Sequence, residues 1–139
     1  MQTNNETTYQ LPDLSGSLGG HLGIQFTEMK EGFIKATMPV NERTCQPFGY
    51  LNGGASLALA EIVAGHGSII LCSPQQMPCG VQVSGNHIHL VPVGTYVEAT
   101  GTIVHRGHTS HVWNIDITNS EGKLVSTVRV VNLIVKRRS

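Results

Sequence analysis

Charge is scarce in this sequence. Only 13% of the 139 residues are Asp, Glu, Lys or Arg, and nine of each sign leave a formal net charge of zero. No basic field advertises nucleic acid, and no acidic tail advertises disorder. Cysteine is as thin: Cys45, Cys72 and Cys79 are an odd number without the spacing of a disulfide framework or zinc site. The first ten residues, MQTNNETTYQ, lack the apolar core of a signal peptide, so the cytoplasm is the expected compartment. Long hydrophobic runs are missing as well. The longest, Ala55 to Leu71, is interrupted by Glu61, Gly65, His66 and Gly67, which argues against a membrane span. So little charge instead suggests surface hidden in an oligomer, and the basic KRRS at residues 136–139 reads as a solvated terminus.

A chain of this size can bury roughly two thirds of the surface its unfolded form exposes, and residues 1–139 read as one domain. The polar first ten residues are expected to fray. LPDLSGSLGGHLG then reads as a Gly-broken helical turn or loop, so that residues 1–17 could act as a mobile flap. LGIQFTEM and FIKATMPV, joined by KEG, predict a hairpin whose ladder Pro39 should end. Residues 52–71 predict one long helix with Asn52 as its N-cap. SPQQMPCG should break the chain. Four strand-like segments follow: GVQVSGNHIHLV, TYVEATGTIVHR, TSHVWNIDITN and KLVSTVRVVNLIV. Their links are short enough to make successive strands antiparallel neighbours. The pattern is α+β, one helix against one sheet. Because the helix is apolar on nearly every side, it must be buried on all sides. Either the sheet curls round it, or a second subunit covers what remains, or both.

Glu61 is the ionisable group that stands out within this helix, and a buried carboxylate is costly to keep charged. Helix pattern alone leaves open whether it faces a wet interface, meets an arginine or does chemistry. The pair Gly53-Gly54 costs helix stability, so either something approaches the backbone there or a turn needs unusual angles. Exposed N–H groups at the positive end of the helix dipole suit negative charge developing on a carbonyl oxygen. Gly53 and Glu61 lie eight residues apart, about 12 Å along one helix, too far for one carbonyl to touch both. A symmetric dimer could pair the helix start of one chain with the glutamate of the other.

HLGIQFTEMKEGFIKATMPVNERTCQPFGYLNGGASLALAE, with NHIHLV and HRGHTSHVW downstream, resembles the hotdog-fold acyl-CoA thioesterases, in the branch with a glutamate on the central helix. The likeness runs from about Leu18 to Val135 and is greatest to the group acting on aromatic or hydroxyaryl-CoA thioesters. It implies a long helix wrapped by a curved antiparallel sheet of five to six strands, active as a dimer or tetramer. It implies acyl-CoA as the partner molecule, coenzyme A being part of the substrate, with no other cofactor. Glu61 would be nucleophile or general base. The Gly53 N–H would hold the thioester oxygen and Gln46 would help orient the carbonyl. His87, with His89 beside it, would contact the substrate near the thioester. Gly80 and the loop His105, Arg106, Gly107, His108 and Thr109 would face the coenzyme A arm, with Arg106 and His108 as phosphate partners.

Two positions depart from the family pattern. Relatives commonly carry His immediately before the Gly-Gly pair, where this chain has Asn52, a capping residue that cannot take up a proton. One turn beyond the glutamate they often place Ser or Thr, where this chain has Gly65. Ser68, seven residues from Glu61 on the same helix face, either positions water in its stead or is an ordinary packing residue. His66 reads as packing or interface. The seven histidines lack a zinc ligand pattern, so no metal is expected. Two alternatives to a thioesterase stand: a hotdog dehydratase or hydratase, which would need a His with a nearby acid, and a non-catalytic CoA-ester binding protein.

Overall fold

The computed structural model describes residues 9–138; the expected fraying of the first residues falls, for 1–8, outside them. A short helix α1 (Leu18–His21) leads into strands β1 (Gln25–Lys30) and β2 (Phe33–Val40), then the long helix α2 (Gly53–Ile69). Strands β3 (Gln76–His87), β4 (Thr95–Arg106), β5 (Ser110–Asn119) and β6 (Leu124–Lys136) complete the chain. All six strands form one sheet in the order β1-β2-β4-β5-β6-β3, and each neighbouring pair is antiparallel. Among the described residues no helix is long and apolar enough to cross a membrane.

Helix α2 packs against strands β2 to β6 and reaches β1 through the contact of His66 with Phe26. Five strands span roughly 20 Å, about twice the width of a helix with its side chains, so the sheet must curve round α2 to reach it. The covered stripe is Ser56, Leu59, Ala60, Val63, Ala64, Gly67 and Ser68, spaced at three and four residues. Against it pack Ile34, Met38, Val97, Trp113, Ile115, Ile117, Val128 and Val130, all fully buried or nearly so. Gly67 is small because the Trp113 ring lies on it: a Cβ there would stand 2.6 Å from Trp113 Cη2.

Pro39 lies within β2 and pairs with Tyr96 of β4, while the hairpin ladder with β1 stops before it, as expected. It sits past the last β1 partner, Gln25↔Thr37, so no donor is needed on that side of the strand. The stretch Gln76–Gly80 is strand rather than breaker, because β3 is an edge strand and tolerates Pro78 opposite Ile134. Within one chain the sheet does not cover the whole helix, the case in which a second subunit would have to cover what remains: Gly54, Glu61 and Ile69 are exposed.

Candidate active site

The residues singled out from sequence gather at two places on the chain. The first is the start of α2. Asn52 Oδ1 accepts the Gly54 N–H at 2.8 Å and so caps the helix. The Gly53 N–H, in the first turn, has no intrahelical acceptor and sits at the positive end of the helix dipole. His87 lies directly over Gly53: a Cβ on that glycine would be 2.6 Å from His87 Nε2. Close approach, rather than unusual backbone angles, explains this glycine, since Gly53 is absent from the positive-φ positions among the described residues. The His87 ring is held from behind by Ser126 Oγ, 2.7 Å from Nδ1. Gln46 stands in the turn before the helix with its Oε1 accepting from the Phe48 and Tyr50 N–H groups. That commits the oxygen to the turn, leaving the NH2 as the group able to donate.

The second place is two turns along the helix. Glu61 is exposed in the chain rather than buried, because the sheet covers the opposite stripe of α2. It opens on a pocket of about 640 Å³ walled by Leu14, Leu18, Ile62, Ile69 and Met77. Leu14 and Ser17, within the segment 1–17, also line this pocket. Gly80 faces the carboxylate, with a Cβ position only 2.8 Å from Glu61 Oε1. Among the described residues no arginine pairs with Glu61; the carboxylates held in ion pairs there are Glu28, Glu31, Glu98 and Glu121.

Ser68 does not reach this pocket, which corrects its proposed role. Although it shares an angular position with Glu61, the sheet closes over the second half of α2, and Ser68 is fully buried. Its Oγ accepts from Trp113 Nε1 at 2.9 Å and from Asn132 Nδ2 at 3.0 Å. With both lone pairs used, the hydroxyl proton is directed to His111 Nδ1, 2.8 Å away. His111 is therefore the neutral tautomer protonated on Nε2. Burial, with smaller contributions from Arg106 and His105, holds its pKa below the usual histidine value.

The remaining predicted residues lie where a long substrate arm could reach them. Arg106, His111, Asn132 and Gly80 are cross-strand partners in one row through β4, β5, β6 and β3. The hairpin turn containing Gly107, His108 and Thr109 thus emerges at the same end of the sheet as Gly80 and Glu61. His105, Arg106, His108 and Thr109 are exposed, and Gly107 is half-buried. Arg106 meets Glu31 at 3.8 Å in an exposed pair, weak enough for a phosphate to compete. His89 falls beyond the end of β3, where its Nδ1 contacts the Leu124 carbonyl at 2.8 Å. It does not share the strand geometry expected of the pair His87 and His89.

Sequence reasoning missed three residues of this pocket. His66 is a wall of it, packed edge-on against Phe26 with ring centroids 5.0 Å apart. Desolvation lowers its pKa, favouring the neutral ring. Arg137, read as part of a solvated terminus, lines the same pocket and donates from Nε to the Gln76 carbonyl. Asn132 is the third; the one signal available was a lone amide in the apolar run VRVVNLIV, an expensive residue in a strand core. Among the described residues no group of three or more His, Cys, Asp or Glu converges to hold a metal.

Residues 48–126 match the thioesterase superfamily. The 1,4-dihydroxy-2-naphthoyl-CoA hydrolase of Escherichia coli is 34% identical, over 86% of this chain and 87% of its own length. A thioesterase crystal structure from Haemophilus influenzae superposes with a TM-score of 0.87 at 36% identity, covering 94% of each chain. A hypothetical thioesterase from Streptococcus pneumoniae, solved with coenzyme A, superposes with a TM-score of 0.75 at 25% identity, over 84% of this chain and 88% of that one.

Proposed function

This chain belongs to the thioesterase superfamily, and from that membership we propose that it hydrolyses aromatic or hydroxyaryl thioesters of coenzyme A. The protein is a thioester hydrolase of the hotdog fold; the acyl class is the step beyond. The observation that carries it is the pocket itself. Glu61 stands on one wall of a largely apolar space of about 640 Å³ that the imidazole of His66 also lines. Such a space suits a flat acyl group, and a neutral imidazole can give or accept one hydrogen bond from a ring substituent. The substrate for which the Escherichia coli relative is named, a dihydroxynaphthoyl thioester, is of this kind.

Within one chain, Gly80 and His87 are seven strand residues apart, about 23 Å. The helix start and the glutamate therefore belong to two half-sites. Strand β3 is the sheet edge, paired with β6 on one side. Antiparallel pairing of β3 with its copy would run the His87 end of one strand toward the Gln76–Gly80 end of the other. One complete site would then combine Gly53, His87 and Gln46 of one protomer with Glu61 and Gly80 of its partner. The active form is a homodimer or a tetramer built from it.

In that site the Gly53 N–H meets the charge that develops on the thioester oxygen as the carbonyl carbon is attacked. Glu61 supplies the attack, directly or through water. Collapse of the tetrahedral centre breaks the C–S bond and releases coenzyme A as its thiol. No metal or further cofactor takes part. Asn52 serves by capping the helix, and a dehydratase is disfavoured because position 52 carries no histidine and His87, the ring over the helix start, is held by Ser126 rather than by a carboxylate. The coenzyme A arm runs toward Arg137 and the 105–109 turn.

Thiol release with benzoyl-, hydroxybenzoyl-, hydroxynaphthoyl-, phenylacetyl- and long-chain acyl-CoA tests this. Aryl substrates should give the highest kcat/KM, and Glu61→Ala should abolish turnover while retaining binding. Preference for long-chain acyl groups would refute the acyl class, and full activity of Glu61→Ala would refute the site.

A further inference from the structure

The pocket holds a second side chain aimed at the same point as Glu61. Asn132 is 1% exposed, yet it lines the pocket. Its amide orientation is fixed by chemistry. Nδ2 lies 3.2 Å from the Ala64 carbonyl, which can only accept, and 3.0 Å from Ser68 Oγ. The nitrogen is therefore the end turned into the core, and Oδ1 is the end turned away. No hydrogen bond from the described residues reaches Oδ1, and none of their buried polar side-chain atoms is left without a partner. Together these leave Oδ1 open to the pocket.

Gly80 marks where the two oxygens converge. The point its Cβ would occupy is 2.8 Å from Glu61 Oε1 and 3.5 Å from Asn132 Oδ1. Gly80 pairs with Asn132 across β3 and β6, next to the irregularity between Gly80 and Gln82. It has ordinary backbone angles, so conformation does not demand a glycine. The missing side chain leaves space for one small polar atom between two hydrogen-bond acceptors.

We propose that this space holds the water that attacks the thioester, with Glu61 as its base and Asn132 Oδ1 accepting a hydrogen bond from its second O–H. A water molecule has two O–H bonds, and two acceptors on one side use both, turning its lone pairs toward the acyl carbon. The water oxygen forms the new C–O bond as one proton passes to the Glu61 carboxylate. The C=O electron pair moves onto the thioester oxygen. Its return expels the thiolate, which takes the proton from Glu61, giving the free acid and coenzyme A thiol. The buried chain from Trp113 through Ser68 to Asn132 then has a catalytic purpose, because it keeps the amide from turning over. This inference rests on the site described under Proposed function and assigns Glu61 the role of base rather than nucleophile.

Two variants and a competing nucleophile test it. Gly80→Ala fills the space without touching Ser68, and Asn132→Ala removes the second acceptor. Each should lower kcat about 10–100-fold while KM for the best aryl-CoA changes less than about twofold. In water–methanol mixtures the ratio of methyl ester to free acid gives a readout independent of total activity. Methanol has one O–H and satisfies one acceptor, so the native enzyme should favour water. Asn132→Ala should raise the ester fraction several-fold. Unchanged kcat in Gly80→Ala, or an unchanged product ratio in Asn132→Ala, overturns the proposal while Glu61→Ala remains inactive. Activity persisting in Glu61→Ala would instead refute the underlying site. If Asn132→Ala fails to fold, Gly80→Ala decides.

Discussion

His87 Nε2 occupies the space in which a side chain on Gly53 would begin, 2.6 Å from the position of its Cβ. The ring cannot yield freely, because Ser126 Oγ holds Nδ1 at 2.7 Å. In Gly53→Ala the ring must swing out. Alanine also favours the helix by about 0.5–1 kcal/mol relative to glycine. The expected result is a protein as stable as the native one by thermal melting, with kcat/KM reduced about 10–100-fold. Native activity in Gly53→Ala would show that His87 is not held in a working position.

Asn52 allows its capping role to be separated from the charge near the oxygen-binding N–H. Asn52→Ala removes the 2.8 Å contact to the Gly54 N–H and should cost about 1 kcal/mol of stability. Asn52→Asp keeps the cap but sets a negative charge beside the place where another develops, so stability should hold while kcat falls about tenfold or more. Thermal melts and steady-state rates on the two variants separate these effects.

Ser68→Ala would strand three partners at once: the Trp113 indole N–H, the Asn132 amide and His111 Nδ1. Unpaired buried polar groups cost about 1–3 kcal/mol each, with part recovered by repacking. A loss of about 2–4 kcal/mol in urea denaturation is expected, more than a surface serine could cause. Ser68→Thr should lose stability by overpacking instead.

Acid should weaken the fold through His111 and His66. Burial holds both pKa values below the ordinary 6.5. At pH above that value both states are neutral and stability is complete. As pH falls through 6.5 the unfolded chain binds protons that the folded chain does not, so stability drops until the folded-state pKa values are passed. Protonated His111 Nδ1 would also be a third donor facing a Ser68 oxygen that already accepts two hydrogen bonds. Melting temperature should decline from pH 7.5 toward 5.5, with a shallower decline in His66→Leu.

Local chemistry made much of this protein readable in advance. Asn52 followed by Gly-Gly and an apolar run announced the helix and its cap, and strict alternation around Trp113, Ile115 and Ile117 announced β5. What stayed hidden depended on register between distant segments. That β2 runs on past the hairpin, through Pro39, follows from its pairing with Tyr96 of the distant strand β4. Ser68 and Glu61 share a helix face in sequence, yet the sheet closes over one and not the other. Asn132 entered the site only because β6 sets it opposite Gly80, a pairing that no spacing within either strand reveals.

The chain carries a single tryptophan, and it is the residue whose ring covers Gly67 and whose N–H meets Ser68. Its fluorescence therefore reports on one seam of the molecule without any engineered label. Shielded indole emits at short wavelength, and loosening where the helix meets the sheet would shift that emission to the red. Stopped-flow mixing with a coenzyme A ester could then time how the interior responds to an event some ångströms away at the carboxylate.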